Sequence, residues 1–240
     1  RKQKLERVVE DTCARGGTLM IPAFSLERTQ ELLYEFNDLA EHGRIPRVPI
    51  FLDSPLAIKA TRIYREYGAH FSKEAQTLIK EGDDLFRFPG LQFTESAEES
   101  KRINEVPPPK IIIAGAGMMQ GGRILHHAKR YLPDPKSTLL FIGYQAAGST
   151  GRRIFDGASD VRIHKETVPV RATVTAIGGY SAHADSDALF DYILHTADTL
   201  KKVFVVQGEP EASLYLVQRI RDNLSIDAVA PKYGESHQLT

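Results

Sequence analysis

Residues 178–185 read Gly-Gly-Tyr-Ser-Ala-His-Ala-Asp. Two glycines allow tight backbone turns, and Ser181 and Asp185 each stand two places from His183, where a hydroxyl or a carboxylate can orient an imidazole. A histidine fixed in this way serves as a general acid or as a metal ligand, and residue types alone do not choose between the two. The other histidines have simpler explanations. His42, His70 and His195 fall near predicted helix ends, where the helix dipole favours them. His126 and His127 lie side by side within a predicted helix, point to different sides, and read as surface or packing residues. His164 and His237 complete the eight. No His-x-His pair and no H-E-x-x-H occurs, so local spacing assembles no zinc site. The single Cys13 excludes a cysteine-rich zinc site and an internal disulfide, and it fits a reducing compartment.

Four further stretches place polar residues where chemistry is expected. "IPAFSLERTQE" offers Ser25 and Arg28, and "FLDSPLA" offers Asp53 and Ser54. "AGAGMMQGGR" carries Gln120, Gly121, Gly122 and Arg123 into a predicted helix, so free backbone N–H groups and the helix dipole can hold a phosphate. "GYQAAGSTGRR" repeats the pattern with Tyr144, Gln145, Gly148, Thr150 and Arg152. Each loop taken singly is also explained by glycine serving turn geometry and serine serving as a cap. Taken together they suit an extended anion such as a nucleic-acid backbone. No G-x-x-x-x-G-K-[ST] occurs, and "GAGMMQGG" has its third glycine at the wrong spacing for a dinucleotide fingerprint.

The elements that must position these loops follow from the apolar pattern. "TLMIP", "VPIFLD", "KIIIA" and "STLLFIGY" are short apolar runs separated by helical periodicities. That alternation predicts an α/β fold with a parallel sheet covered by helices on both faces, and such sheets place ligands at the carboxyl ends of their strands. "SLERTQELLYEFNDLAEHG" predicts a helix with Ser25 as N-cap and Gly43 at its end, and "SPLAIKATRIYREYG" one with Pro55 in its first turn. Residues 68–105 read as peripheral helices and loops. From about residue 153 the segment "VRIHKETVPVRATVTAI" alternates as antiparallel strands do. A helix near 186–196, the strand "KKVFVVQG", the helix "EASLYLVQRIRDNL" and a strand near 227–230 close the chain. Lys+Arg and Asp+Glu balance at 31 each, so net charge predicts no nucleic-acid or membrane partner, and any polyanion site must be local. No apolar run approaches the roughly 18 residues of a membrane span. The chain opens without Met inside an amphipathic stripe of Leu5, Val8, Val9, Thr12 and Cys13, which suggests the later portion of a longer protein.

In order along the chain, "IPAFSLERTQELLYE", "FLDSPLAIKAT", "AGAGMMQGGRILHHAKRYL", "FIGYQAAGSTGR", "GGYSAHAD" and "VVQGEPEA" resemble the β-CASP branch of the metallo-β-lactamase fold, a family of RNA-processing nucleases. The resemblance implies a β-CASP cassette over 1–175, followed over 176–240 by a C-terminal portion of a metallo-β-lactamase αββα domain. It implies that His183 is the family's motif B, at the scissile phosphate beside a two-zinc centre, where it assists protonation of the leaving group. The substrate-binding set would be Ser25, Arg28, Asp53, Ser54, Gln120, Gly121, Gly122, Arg123, Tyr144, Gln145, Gly148, Thr150, Arg152 and Ser181, along a channel for single-stranded RNA. The His-x-His-x-Asp-His signature and the other zinc ligands that precede the cassette in the family are absent from this chain, so the resemblance implies that these residues alone hold no dinuclear centre and are inactive by themselves. Where the family has a histidine ligand in V-H-G-E, this chain has Gln207 in "VVQGE", a neutral amide and a poor zinc ligand. One metal site is then weakened, differently ligated or lost, with His237 as a conceivable substitute. A cytoplasmic location is expected, with no membrane partner and room for a homodimer. Two rival expectations stand beside the nuclease: a nucleic-acid-binding scaffold with a decayed metal centre, and an unrelated nucleotide-binding α/β protein.

Overall fold

The computed structural model describes residues 1–181 and 183–238; Ala182, Leu239 and Thr240 lie outside the described residues. The chain forms two compact units, Arg1–Ser181 and Ala182–Thr240.

In the first unit the apolar runs become strands β1 (Thr18–Pro22), β2 (Ile50–Asp53), β3 (Leu91–Phe93), β4 (Lys110–Ala114) and β5 (Thr138–Phe141). β6 (Asp160–Ile163) and β7 (Glu166–Pro169) form a separate antiparallel hairpin, and β8 (Thr173–Ala176) returns to the main sheet. The sheet is six-stranded in the order β3-β2-β4-β1-β5-β8, and all its pairings are parallel. β1, β2, β4 and β5 are buried at every residue, so both faces need apolar side chains and the runs show no polar alternation.

Successive residues on each strand feed opposite cores. Leu19, Ile21, Ile50, Leu52, Ile111, Ile113 and Leu140 face a core closed by α1 (Lys2–Ala14), α2 (Arg28–Glu41), α3 (Pro55–Glu66) and α4 (Lys73–Lys80). Their neighbours Met20, Phe51, Ile112, Ala114, Leu139 and Phe141 face the second core. That core is closed by Ile103 just after α5 (Ala97–Arg102), by Ile124 and Ala128 of α6 (Ile124–Tyr131), and by Ile154 of α7 (Thr150–Phe155). Each side chain of this size contributes about 1.5–3 kcal/mol when removed from water. Helix starts follow local chemistry. Ser54 caps α3 by accepting the Ala57 N–H at 3.3 Å, with Pro55 in the first turn, and Ser96 with Glu99 makes a capping box on α5.

Because α2 lies on one face and α6 on the other, the chain diverges after the adjacent strands β1 and β4. A crevice at the carboxyl ends of a parallel sheet opens where connections diverge in this way.

Three expectations need correction. Residues 68–105 supply the edge strand β3, which at three residues is too short to show a period. β8 pairs parallel to β5 instead of antiparallel to its predecessors. An edge strand with one covered face alternates in either direction, so the pattern cannot distinguish them. Ser25 is not an N-cap: α2 starts at Arg28, with Glu27 in the cap position at φ 66°.

The second unit comprises α8 (Ser186–Leu194), β9 (Lys202–Phe204), α9 (Pro210–Leu224) and β10 (Asp227–Val229). β9 and β10 pair in parallel, and Ile193, Val217, Ile220, Ile226 and Ala228 form their core.

Candidate functional site

The carboxyl ends of β1, β2 and β4 bring three of the expected loops together. Ser25 follows β1 and Ser54 follows β2, with their hydroxyl oxygens 3.4 Å apart. Gly115 follows β4, and a Cβ there would lie 3.5 Å from Ser54 Oγ and 3.8 Å from Ser25 Oγ. Arg28 is buried and pairs with Glu27 at 3.1 Å.

Asp53, the last residue of β2, is fully buried and accepts four hydrogen bonds. Thr94 Oγ1 (2.7 Å) and Arg123 Nη1 (2.8 Å) donate to Oδ1; Ser100 Oγ (2.6 Å) donates to Oδ2, where His127 Nε2 sits at 2.7 Å. Burial works against the charge of Asp53, but the hydrogen bonds from His127, Ser100, Thr94 and Arg123 outweigh it and hold the carboxyl at about 2. Arg123 also donates to the carbonyls of Thr94 (2.9 Å) and Glu95 (2.8 Å). Asp53 is therefore an internal anchor with no surface for substrate, and much of Arg123's donor fork is turned inward. His127, expected as a surface or packing residue, is buried and is a partner of this anchor; its neighbour His126 is exposed.

The glycine loop after β4 does not lead straight into a helix. α6 starts only at Ile124, and the loop closes on itself: the Ala116 N–H donates to Gly121 O (3.3 Å), Met119 to Ala116 O (3.0 Å) and Ile124 to Gly115 O (3.0 Å). These three N–H groups are spent within the loop and are not available to an anion. Gly122 (φ 73°) has no alternative, because a Cβ there would lie 2.2 Å from Gly115 O. Gln120 and Gly122 are exposed, and Gly121 is half-buried.

The loop after β5 is tied to the glycine loop by buried Gln145, whose Nε2 donates to Gly117 O and Gly143 O, both at 3.0 Å. Gly148 (φ 82°) and Tyr144 are exposed. Ser149 caps α7 by accepting the Arg152 N–H at 3.0 Å, which leaves Thr150 half-buried in the first turn. Arg152 Nε holds both oxygens of Asp156 at 2.9 Å.

The approach to His183 is anchored by Tyr180, which residue types did not single out. Its ring is buried between exposed Gly179 and Ser181, its hydroxyl donates to buried Glu35 of α2, and the Arg1 guanidinium lies 4.4 Å from the ring centroid. Arg1 Nε also bonds Glu35 Oε1 (2.6 Å), and Arg1 Nη1 bonds Gly179 O (2.7 Å). Burial, with the Glu35 bond adding to it, pushes the phenol far above its ordinary range. The only sequence signal was a large aromatic in a glycine-rich turn.

Within the second unit His183 is exposed, and Asp185 caps α8 by accepting the Ala188 N–H at 2.8 Å. Gln207 is exposed between β9 and α9 at φ 63°. His237 packs edge-on against Phe204 (centroids 5.1 Å apart), with Nε2 3.3 Å from Glu235 Oε1. Among the described residues no three His, Cys, Asp or Glu side chains come together to hold a metal ion, and no helix is long and apolar enough to cross a membrane.

Comparison with known proteins gives two family matches: a Beta-Casp domain over residues 29–154, and a Zn-dependent metallo-hydrolase RNA specificity domain over 167–231. Ribonuclease TTHA0252 of Thermus thermophilus is 43% identical over 210 residues, covering 87% of this chain and 47% of its own length. The transcription termination factor FttA of Methanosarcina mazei is 31% identical, covering 95% of this chain and 37% of its own. An RNase J-like protein of Methanocaldococcus jannaschii is 32% identical, with 97% and 53% covered. The chain thus spans about half or less of the length of these relatives.

Proposed function

The chain belongs to the Beta-Casp family, whose metallo-β-lactamase-fold members include RNA nucleases, and on that premise we propose that it is part of a metal-dependent RNA phosphodiesterase. The supporting observation is the ordered pair of family matches, which spans the loops after β2, β4 and β5 and the His183 segment alike. The substrate of this reading is single-stranded RNA, with the loops after β1, β2, β4 and β5 lining its path.

The described residues do not assemble a zinc site, and Gln207, where the family's ligand is expected, offers only an amide oxygen. A zinc ion held by other residues would supply an activated water. This chain's own contribution is His183, whose imidazole delivers a proton to the leaving oxygen as water adds to phosphorus and the P–O bond breaks. Gly179, at φ 93° beside the anchored Tyr180, takes the backbone turn that precedes this segment.

The protein in its full-length form, supplied with zinc or manganese, is expected to cut end-labelled single-stranded RNA. His183→Ala should slow cutting by about a hundredfold or more, the scale of a lost general acid, while RNA binding persists. No cutting by the unsubstituted enzyme, or undiminished cutting by the variant, refutes the assignment. Gln207 favours one alternative, an RNA-binding scaffold with a reduced metal centre. Bound RNA without cutting, and fewer than two metal ions per chain, would establish that reading instead.

A further inference from the structure

Three aromatic side chains of the first unit keep a substantial part of their surface in solvent: Phe24 (40% exposed), Tyr144 (60%) and Phe155 (51%). Two of them follow the carboxyl ends of adjacent strands. Phe24 follows β1, Tyr144 follows β5 and Phe155 ends α7, which connects β5 onward to β8. Exposed rings of this size normally cost solvation, and several in a row mark a contact surface.

Their seats are built for them. A Cβ on Gly117 would lie 2.7 Å from Phe24 Cδ2, and one on Gly143 3.6 Å from Phe24 Cε2, so the ring packs directly against glycine backbone. Next to Gly143, a cavity of about 130 Å³ is lined by Phe141, Tyr144, Gln145, Arg152, Phe155 and Ala176. Phe141 is buried and meets Phe155 edge-on, with ring centroids 6.1 Å apart and planes at 81°. The cavity therefore has aromatic walls and a guanidinium at its side. An apolar cavity of about 150 Å³ accepts a benzene-sized ring, so this one suits a single ring system and not a whole nucleotide. Rings and guanidinium planes are the surfaces on which unstacked bases of single-stranded RNA lie.

We propose that the Tyr144–Phe155 cavity is a nucleobase subsite, with Phe24 as the adjoining stacking surface for the next base. This deepens the RNA reading above and rests on it. The subsite tolerates different bases, because stacking uses the π-face that every base has.

The test is fluorescence anisotropy of the purified protein with a labelled ten-nucleotide single-stranded RNA, alongside the same RNA carrying 2-aminopurine or an abasic position at each site in turn. Tyr144→Ala and Phe155→Ala should each weaken binding about tenfold, within the range for loss of one base–aromatic stack, while Tyr144→Phe binds as the parent does. One 2-aminopurine position should be quenched on binding to the parent and not to the alanine variants, and an abasic site at that position should abolish the difference between them. Thermal melts confirm that the variants are folded. If the parent binds RNA but the alanine variants bind equally well, or abasic RNA shows no preferred position, the subsite is wrong and the RNA reading survives. If the parent binds no RNA, both fall.

Discussion

Replacing Asp53 by Asn tests whether the site loops are held by one buried carboxylate. The four bonds it accepts join the end of β2 to Thr94 and Ser100 around α5 and to Arg123 and His127 around α6. Asn keeps one acceptor oxygen and puts an NH2 where a carboxylate oxygen received donors. The Ser100 hydroxyl can rotate to accept; the charge on Arg123 cannot adapt. Removing one partner of a buried ion pair costs about 3–5 kcal/mol. The lower figure applies here, since Arg123 keeps the carbonyls of Thr94 and Glu95 and its side chain is 21% exposed. About 3 kcal/mol lowers the Tm by about 6–12 °C for a chain of this length. The pH dependence has a definite sign. Asp53 is held at about 2 against an ordinary 3.8, so its contribution is fully present above pH 3.8 and is lost as pH falls toward 2. The amount lost is about 2 kcal/mol. Urea unfolding at pH 7, 4 and 2.5 should show the gap between parent and Asp53→Asn narrowing toward low pH. A gap below about 1 kcal/mol at pH 7, or one that does not change with pH, would refute the reasoning.

Gly122→Ala should destabilise by about 3 kcal/mol, from its positive φ and the 2.2 Å approach to Gly115 O. Gly121→Ala, which meets nothing within 4 Å, should stay within about 0.5 kcal/mol of the parent; equal urea midpoints for the two would show that the loop does not impose the contact. Tyr180→Phe removes the hydroxyl that donates to buried Glu35 and should cost about 1–3 kcal/mol in thermal unfolding. An unchanged melt would mean that this bond does not anchor the approach to His183.

The runs "TLMIP", "IFLD", "KIIIA" and "TLLF" made a buried parallel sheet legible, because strands covered on both faces must be apolar at every position. Pro55 after Ser54 likewise marked the start of α3 from local chemistry alone. The strand-end loops could be read as a set, since a sheet of this kind exposes its carboxyl ends to ligands. What each residue in those loops does could not be read. Asp53 and Arg123 stand 70 residues apart, Asp53 and His127 74, and Tyr180 and Glu35 145. Their meeting depends on β4 inserting between β2 and β1 and on α2 reaching beneath the turn that precedes His183, neither of which has a local period. Asp53 read as a substrate-binding residue and His127 as a surface or packing residue for the same reason: residue type and spacing report which faces are apolar, while a buried polar pair is decided by which strands become neighbours. The sequence by itself determined the layers and which strand ends carry polar loops, and only the tertiary structure decided which of those polar residues are spent inside the fold.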